Sequence, residues 1–328
     1  MKKFVEELKA KMAETETLRA SEEFIVHSIG EKADPEDWET ASFIKTTNER
    51  YFGSESEVLQ GDFLEIKFER SLLRFDLGEL KQVKDKEGWI PVIDKISSDL
   101  EYSRGIHGRA FFLIDNFRNY DIIKDSLIVR PLNYTSNSRI LEGFAFRRLG
   151  DIALVLYLHV ADEGSATNTI KVPMSIVEEW DTDKTFKQIL DDALENTMKM
   201  YPAKIFRNIL ETDNDRDPET DLMHTGMSLT KSAVPLITNL NRTNGAIAMF
   251  YPGVKEKLSE LFGSGDLYVA FTSIHEAMVH KVGTVDPKSI QRHLRATNNA
   301  FGITETLTYS VYRYDHTDKT FMPVSITE

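Results

Sequence analysis

Apolar positions along this chain follow two rhythms, one of continuous or alternating runs and one of three- and four-residue steps, and the stretch from Asn244 to Val282 shows both in succession. Ala246 to Phe250 is apolar at every position, which predicts a central strand covered on both faces and entered through the Asn244-Gly245 turn. Val254, Leu258, Leu261 and Phe262 then recur at i, i+4, i+7 and i+8, one face of a helix with Pro252 in its first turn and Gly263 at its end. Leu267 to Thr272 and Ala277 to Val282 predict two antiparallel strands, joined by a tip of Ser273-Ile274-His275-Glu276.

Upstream, Ile152 to Val160 is apolar almost throughout and predicts a second central strand. Leu64, Ile66 and Phe68 alternate with charged residues, as in a strand with one wet face. Leu77, Leu80 and Val83 predict a short helix, and Val92, Ile93, Ile96 and Leu100 a longer one with Pro91 near its start. Strands are expected over Arg109 to Ile114, Leu127 to Leu132 and Asn168 to Pro173. Phe186, Ile189, Leu190, Ala193, Leu194, Thr197 and Met198 mark an amphipathic helix that Tyr201-Pro202 breaks, and Ala203 to Leu210 is again helical in spacing. Asp286-Pro287 gives a helix start, N-cap then proline, and Leu307 to Tyr314 and Phe321 to Val324 predict closing strands.

This succession predicts an α+β (mixed α/β) fold, with a predominantly antiparallel sheet and helices packed on it. Residues 1–60 are the least regular and read as an arm or small subdomain, 61–210 as a first α/β half and 227–328 as a second. An acidic loop over 211–226 joins the halves; its residues 211–221 carry six acids and little to bury. Gly150-Asp151, Asp183, Ala193 and Asn196 are echoed by Gly265-Asp266, Asp286, Ala296 and Asn299, the helix residues at a constant offset, which suggests two pseudo-repeated halves.

With 328 residues and 41% hydrophobic content, the chain can bury a substantial core. Its net charge of -13, from 53 acids against 40 basic residues, disfavours direct nucleic acid binding. The absence of cysteine excludes disulfides, thiolate metal sites and a cysteine nucleophile. The opening MKKFVEELKAKMAETE lacks the apolar core of a signal peptide, and Phe4, Leu8 and Met12 make one helical stripe instead. No run approaches the roughly 18 apolar residues of a membrane span, so no membrane partner and a cytoplasmic location are expected.

Candidate chemistry is sparse. His275 and His280 bracket a sequence like the HExxH zinc motif, but their i, i+5 spacing would separate them around a helix and send them to opposite faces of a strand, so no metal is expected. Ser273, His275 and Glu276 at the hairpin tip could form a nucleophile, a base and an orienting carboxylate, without a recognisable nucleophile elbow; a polar turn is the plainer reading. Asp213, Asp215 and Asp217 alternate like calcium-loop ligands, yet Pro218 and His224 stand where glycine and glutamate are needed. The chain has neither a GxGxxG nor a GxxxxGK[ST] phosphate loop, and no cofactor is indicated. Asn239, Asn244 and Asn299, with Asn298, place amides near strand and helix ends, where they could bind a polar ligand or serve turns and caps.

Leu132-Asn133-Tyr134, Asp151-Ile152-Ala153-Leu154-Val155, Ala193-Leu194-Glu195-Asn196-Thr197, Asn244-Gly245-Ala246, Tyr251-Pro252-Gly253-Val254, Ser273-Ile274-His275-Glu276 and Val311-Tyr312-Arg313-Tyr314-Asp315 follow one another in a collinear order. Over roughly residues 60 to 328 that order resembles the bacterial family called domain of unknown function 5688. The resemblance implies a soluble bacterial protein and supplies no activity. The residues then favour a non-catalytic binding or regulatory module acting on a protein partner or small polar ligand. A metal-independent hydrolase or transferase using His275 and Glu276, and an acidic inhibitor of a nucleic-acid-binding protein, are the alternatives.

Overall fold

The structure, a computed structural model, describes residues 2–15, 18, 23–27, 63–68, 71–163, 166–208 and 221–326. Asp213, Asp215 and Asp217 lie outside the described residues, as does most of the irregular stretch before residue 60. The chain forms two compact units, Met1–Arg109 and Ala110–Glu328.

In the first unit, α1 (Lys2–Glu14) buries the expected stripe of Phe4, Leu8 and Met12. β1 (Glu23–His27), β2 (Phe63–Phe68) and β3 (Ser71–Asp76) form an antiparallel sheet in that order. Leu64 and Ile66, both fully buried, supply the apolar face that the alternation predicts. α2 (Leu77–Glu87) starts at Asp76, whose carboxylate accepts from Glu79 N at 2.8 Å, and stops at Gly88. In α3 (Trp89–Asp115), Val92, Ile96 and Leu100 are fully buried one turn apart. Arg109 to Ile114, read from sequence as a strand, is therefore a correction: it is the end of α3. Ala110, Leu113 and Phe117 already belong to the second unit and pack within its own apolar core at helical spacing, and extending a helix already formed avoids the cost of a new nucleus.

The second unit continues with the short α4 (Tyr120–Ile123), followed by β4 (Leu127–Asn133) and α5 (Tyr134–Leu141). Next come β5 (Phe146–Leu149), β6 (Ile152–Glu163) and β7 (Ala166–Lys171). β6 is the central strand that its apolar run predicts: β4 lines one side from Leu127↔Leu158 to Asn133↔Ile152, while β5 and β7 share the other. Leu154, Leu156 and Leu158 enter the main core, and Ala153, Val155 and Tyr157 enter a smaller cluster with Tyr201. Both faces of β6 are covered, which is why the sequence does not alternate there.

The short α6 (Met174–Glu179) and then α7 (Phe186–Met200) follow, the latter opened by a capping box of Thr185 and Gln188. The helix expected over Ala203 to Leu210 is corrected among the described residues: Ala203–Phe206 is instead β8, which pairs with β9 (Leu236–Asn239) across the connection that carries the acidic stretch, and Leu210 lies outside the described residues. Ala203, Ile205 and Phe206 are all buried, and four residues are too few for periodicity to separate strand from helix.

A second correction falls on Ala246 to Phe250. Gly245–Phe250 is a 3₁₀ helix, with Asn244 in the left-handed region at φ 52° and Ile247 N donating to Asn244 O. Every residue of it is buried, so its uniform apolarity reports burial all round and not sheet membership. α8 (Val254–Leu261) buries Val254, Leu258 and Leu261; Gly253 is its N-cap, which leaves Pro252 outside the first turn. β10 (Leu267–Ala270) and β11 (Ala277–Lys281) form the expected antiparallel hairpin. α9 (Pro287–Phe301) starts at its Asp286 cap, and the final expected strands shorten to β12 (Tyr312–Tyr314) and β13 (Phe321–Pro323). The second sheet runs β13-β12-β10-β11-β9-β8, antiparallel throughout.

The order β6-β7-α7 matches β10-β11-α9 only if the short α6 between β7 and α7 is passed over, and the matched asparagines differ in role. Asn196 Nδ2 donates to the backbone before β4, at Lys124 O and Leu127 O, whereas Asn299 Oδ1 accepts from the Tyr309 hydroxyl. Asp151 joins the two sheets of this unit, accepting from Tyr312 Oη at 2.8 Å and Thr308 Oγ1 at 2.6 Å.

Candidate functional site

On its outer edge β4 has no strand neighbour among the described residues, and its backbone turns to α7. Val129 N donates to Thr197 Oγ1 at 2.9 Å, while Thr197 passes its own proton to Ala193 O at 2.6 Å. Beside this edge lies a cavity of about 440 Å³, bounded by β4, the end of α7, the β6–β7 hairpin and the turn after β9. That size falls within the range of small-molecule sites. Ile128, Val129 and Ile247 supply apolar wall, and the remainder is polar.

Asn239, at the end of β9, and Asn244, in the following turn, both line this cavity, so the structure brings together two of the three amides picked out from the sequence. Asn299 is exposed on α9 and is not among the lining residues. Asn239 is 1% exposed. Its Nδ2 donates to Thr243 O at 3.0 Å, which fixes the amide's orientation, because a reversed amide would set oxygen against oxygen. Oδ1 is then left without a partner among the described residues. A buried acceptor left unpaired costs about 1–3 kcal/mol, so this oxygen favours any donor that enters.

Two charged residues share the same wall. Arg130, half-buried on β4, holds its guanidinium 5.5 Å from the centre of the Tyr157 ring and makes no hydrogen bond or ion pair among the described residues. Burial pushes its pKa down. Asp162, near the end of β6, lies past the register shift between His159 and Ala161. Its Oδ1 is 3.0 Å from Nε2 of the buried His159 and accepts from Tyr201 Oη at 3.4 Å. Burial works against this carboxylate, but His159, Thr167 and Tyr201 together outweigh it and hold its pKa below the ordinary value. Sequence reasoning missed both residues; the one usable signal was that Arg130 is the only charged residue of β4 and interrupts the apolar run from Leu127 to Leu132.

The hairpin tip has a different geometry from the expected one. His275 Nδ1 accepts from Asn244 N at 3.1 Å, so that nitrogen is unprotonated, and Nε2 lies 2.6 Å from Glu305 Oε2. Glu276 instead accepts from Thr272 Oγ1 at 3.1 Å. Ser273 Oγ accepts from the backbone N of His275 at 3.0 Å, the bond of a serine turn. The three side chains thus form no hydrogen-bonded chain. In this arrangement the imidazole has no lone pair free for general-base work, and it acts as a tie between the Asn244 turn and the loop at Glu305.

Another serine–histidine pair is likewise structural. Ser259 Oγ stands 2.8 Å from His316 Nδ1, but it also donates to Gly265 O and accepts from Gly265 N, so its proton is directed away from the ring. Among the described residues no group of three metal-ligating side chains converges, and no helix is long and apolar enough to cross a membrane.

Fold and cavity together define an α+β protein built on antiparallel sheets, with a polar hollow at the edge of one of them. The chain belongs to the family of unknown function DUF5688, whose family model matches residues 81–316. No curated protein and no solved structure matches it. Every residue lining the cavity falls inside the matched span.

Proposed function

We propose that this chain is a non-catalytic binding module that holds a small polar molecule in the cavity at the β4 edge. The observation that carries the reading is a cavity of about 440 Å³ lined by Asn239, whose Oδ1 is an oriented, buried and unpaired acceptor. The uncommitted guanidinium of Arg130 supports it, since a half-buried charge without a partner is costly unless something completes it. The engagement of both His275 nitrogens favours binding over acid–base catalysis.

The test is a thermal-shift screen of the full chain against nucleosides, sugars, free amino acids and carboxylic acids. At least one class is expected to raise the melting temperature of the wild type and to leave Asn239→Leu, which fills the wall with an apolar side chain, unmoved. If no class stabilises the wild type, or if the variant responds equally, the cavity is not a binding site.

A further inference from the structure

The charges in the cavity say more about what would fit it. Arg130 and Asp162 have opposite signs and line one hollow, yet they make no ion pair with each other among the described residues. Within bonding reach they would neutralise one another, and the cavity would favour a neutral molecule. Kept apart, each leaves a pole to be completed, and the pair is complementary to a molecule carrying both signs.

Each pole has independent support. The guanidinium of Arg130 stands 5.5 Å from the centre of the Tyr157 ring and makes no hydrogen bond or ion pair among the described residues, so its N–H groups are uncommitted and suited to a carboxylate. Asp162 is kept ionised by His159, Thr167 and Tyr201, of which His159 and Tyr201 engage Oδ1. An ionised carboxylate offers about four lone-pair sites, so Asp162 can accept from an ammonium beside the Tyr201 hydroxyl. Asn239, in the same lining, carries an unpaired neutral acceptor in Oδ1, again suited to an N–H donor.

We infer that the ligand is a zwitterion of the free amino acid or short peptide class, with its carboxylate on Arg130 and its ammonium facing Asp162 and the Asn239 carbonyl. This rests on the binding reading above. A cavity of about 440 Å³ has room for a side chain or a second residue beyond the two charged ends, and Ile128 and Ile247 offer that remainder an apolar surface.

Isothermal titration with free L-amino acids and glycine-led dipeptides tests the inference, with two single-pole controls for each binder: the decarboxylated amine and the N-acetylated acid. Binding is expected for zwitterions and weakened about tenfold or more in either control, as for loss of a charge-assisted hydrogen bond. Arg130→Gln should weaken the zwitterion by a similar factor and leave the decarboxylated amine unchanged. Asp162→Asn should do the converse, leaving the N-acetylated acid unchanged. Melting curves of both variants separate lost binding from lost fold. Nucleosides or sugars binding where zwitterions do not would overturn the zwitterion assignment and leave the cavity reading standing. An affinity for zwitterions indifferent to both substitutions would overturn the assignment too. If no probe of any class binds, both fall together.

Discussion

Asn239 and Asp266 show how differently two polar side chains in one unit can be placed. Asn239 leaves one hydrogen-bond acceptor unpaired, which is costly for folding. Asp266 is fully engaged: Arg313 pairs with Oδ2 and the His316 amide donates to Oδ1 at 2.9 Å. The guanidinium, followed by that amide, holds the Asp266 pKa below the ordinary 3.8. A carboxyl depressed in the folded state contributes stability that is present above its unfolded value and is lost as pH falls through the folded one. Wild-type melting temperature should therefore drop more steeply than that of Asp266→Asn between about pH 5 and about pH 2. Parallel curves for the two proteins would mean that the Arg313 contact contributes nothing to stability.

At the scale of elements, the turn between β9 and the 3₁₀ helix builds most of one cavity wall, and its geometry depends on a glycine. A Cβ on Gly245 would lie 2.1 Å from Thr238 Oγ1 and 2.3 Å from His275 O, closer than any real contact, and one of those atoms is backbone. Gly245→Ala should cost about 2 kcal/mol or more in chemical denaturation, as for overpacking with no room to relax. An unchanged midpoint would show that the turn is not packed against the hairpin tip in this way. The Asn244-Gly245 signal was readable in the sequence because both residues suit tight, left-handed geometry. The 3₁₀ helix beyond that turn was not readable, because Ala246 to Phe250 is apolar at every position whether it is a covered strand or a buried helical turn. β6 was legible from the same kind of run because it is twice as long and is bounded by turn residues. α7 and α9 were legible through period and caps: Thr185 with Gln188, and Asp286 with Pro287.

The candidate site was half legible for a related reason. Asn239 and Asn244 stood out as amides at element ends, and the cavity gathers both. Arg130 and Asp162 come from different strands and line one cavity through the register of β4, β6 and β7, which no local pattern encodes. The partner of His275 was misplaced on the same ground: Glu276 is adjacent in sequence, but Glu305 is adjacent in space.

At the scale of the whole molecule, the family match from residue 81 to 316 begins in α2 and takes in all the cavity-forming elements. In the function proposed above, activity centres on one hollow in the second unit, where a bound zwitterion would complete the polar groups. Nuclear magnetic resonance on ¹⁵N-labelled full chain, titrated with the amino acid or dipeptide that binds most tightly, addresses that claim at the atoms concerned. The prediction is saturable shifts of the Asn239 side-chain amide and the Arg130 side-chain Nε–H, and of the Val129 and Asn244 backbone amides. Saturable shifts elsewhere, at the Ser273–Glu276 tip or in the first unit, with Asn239 and Arg130 unmoved, would contradict it.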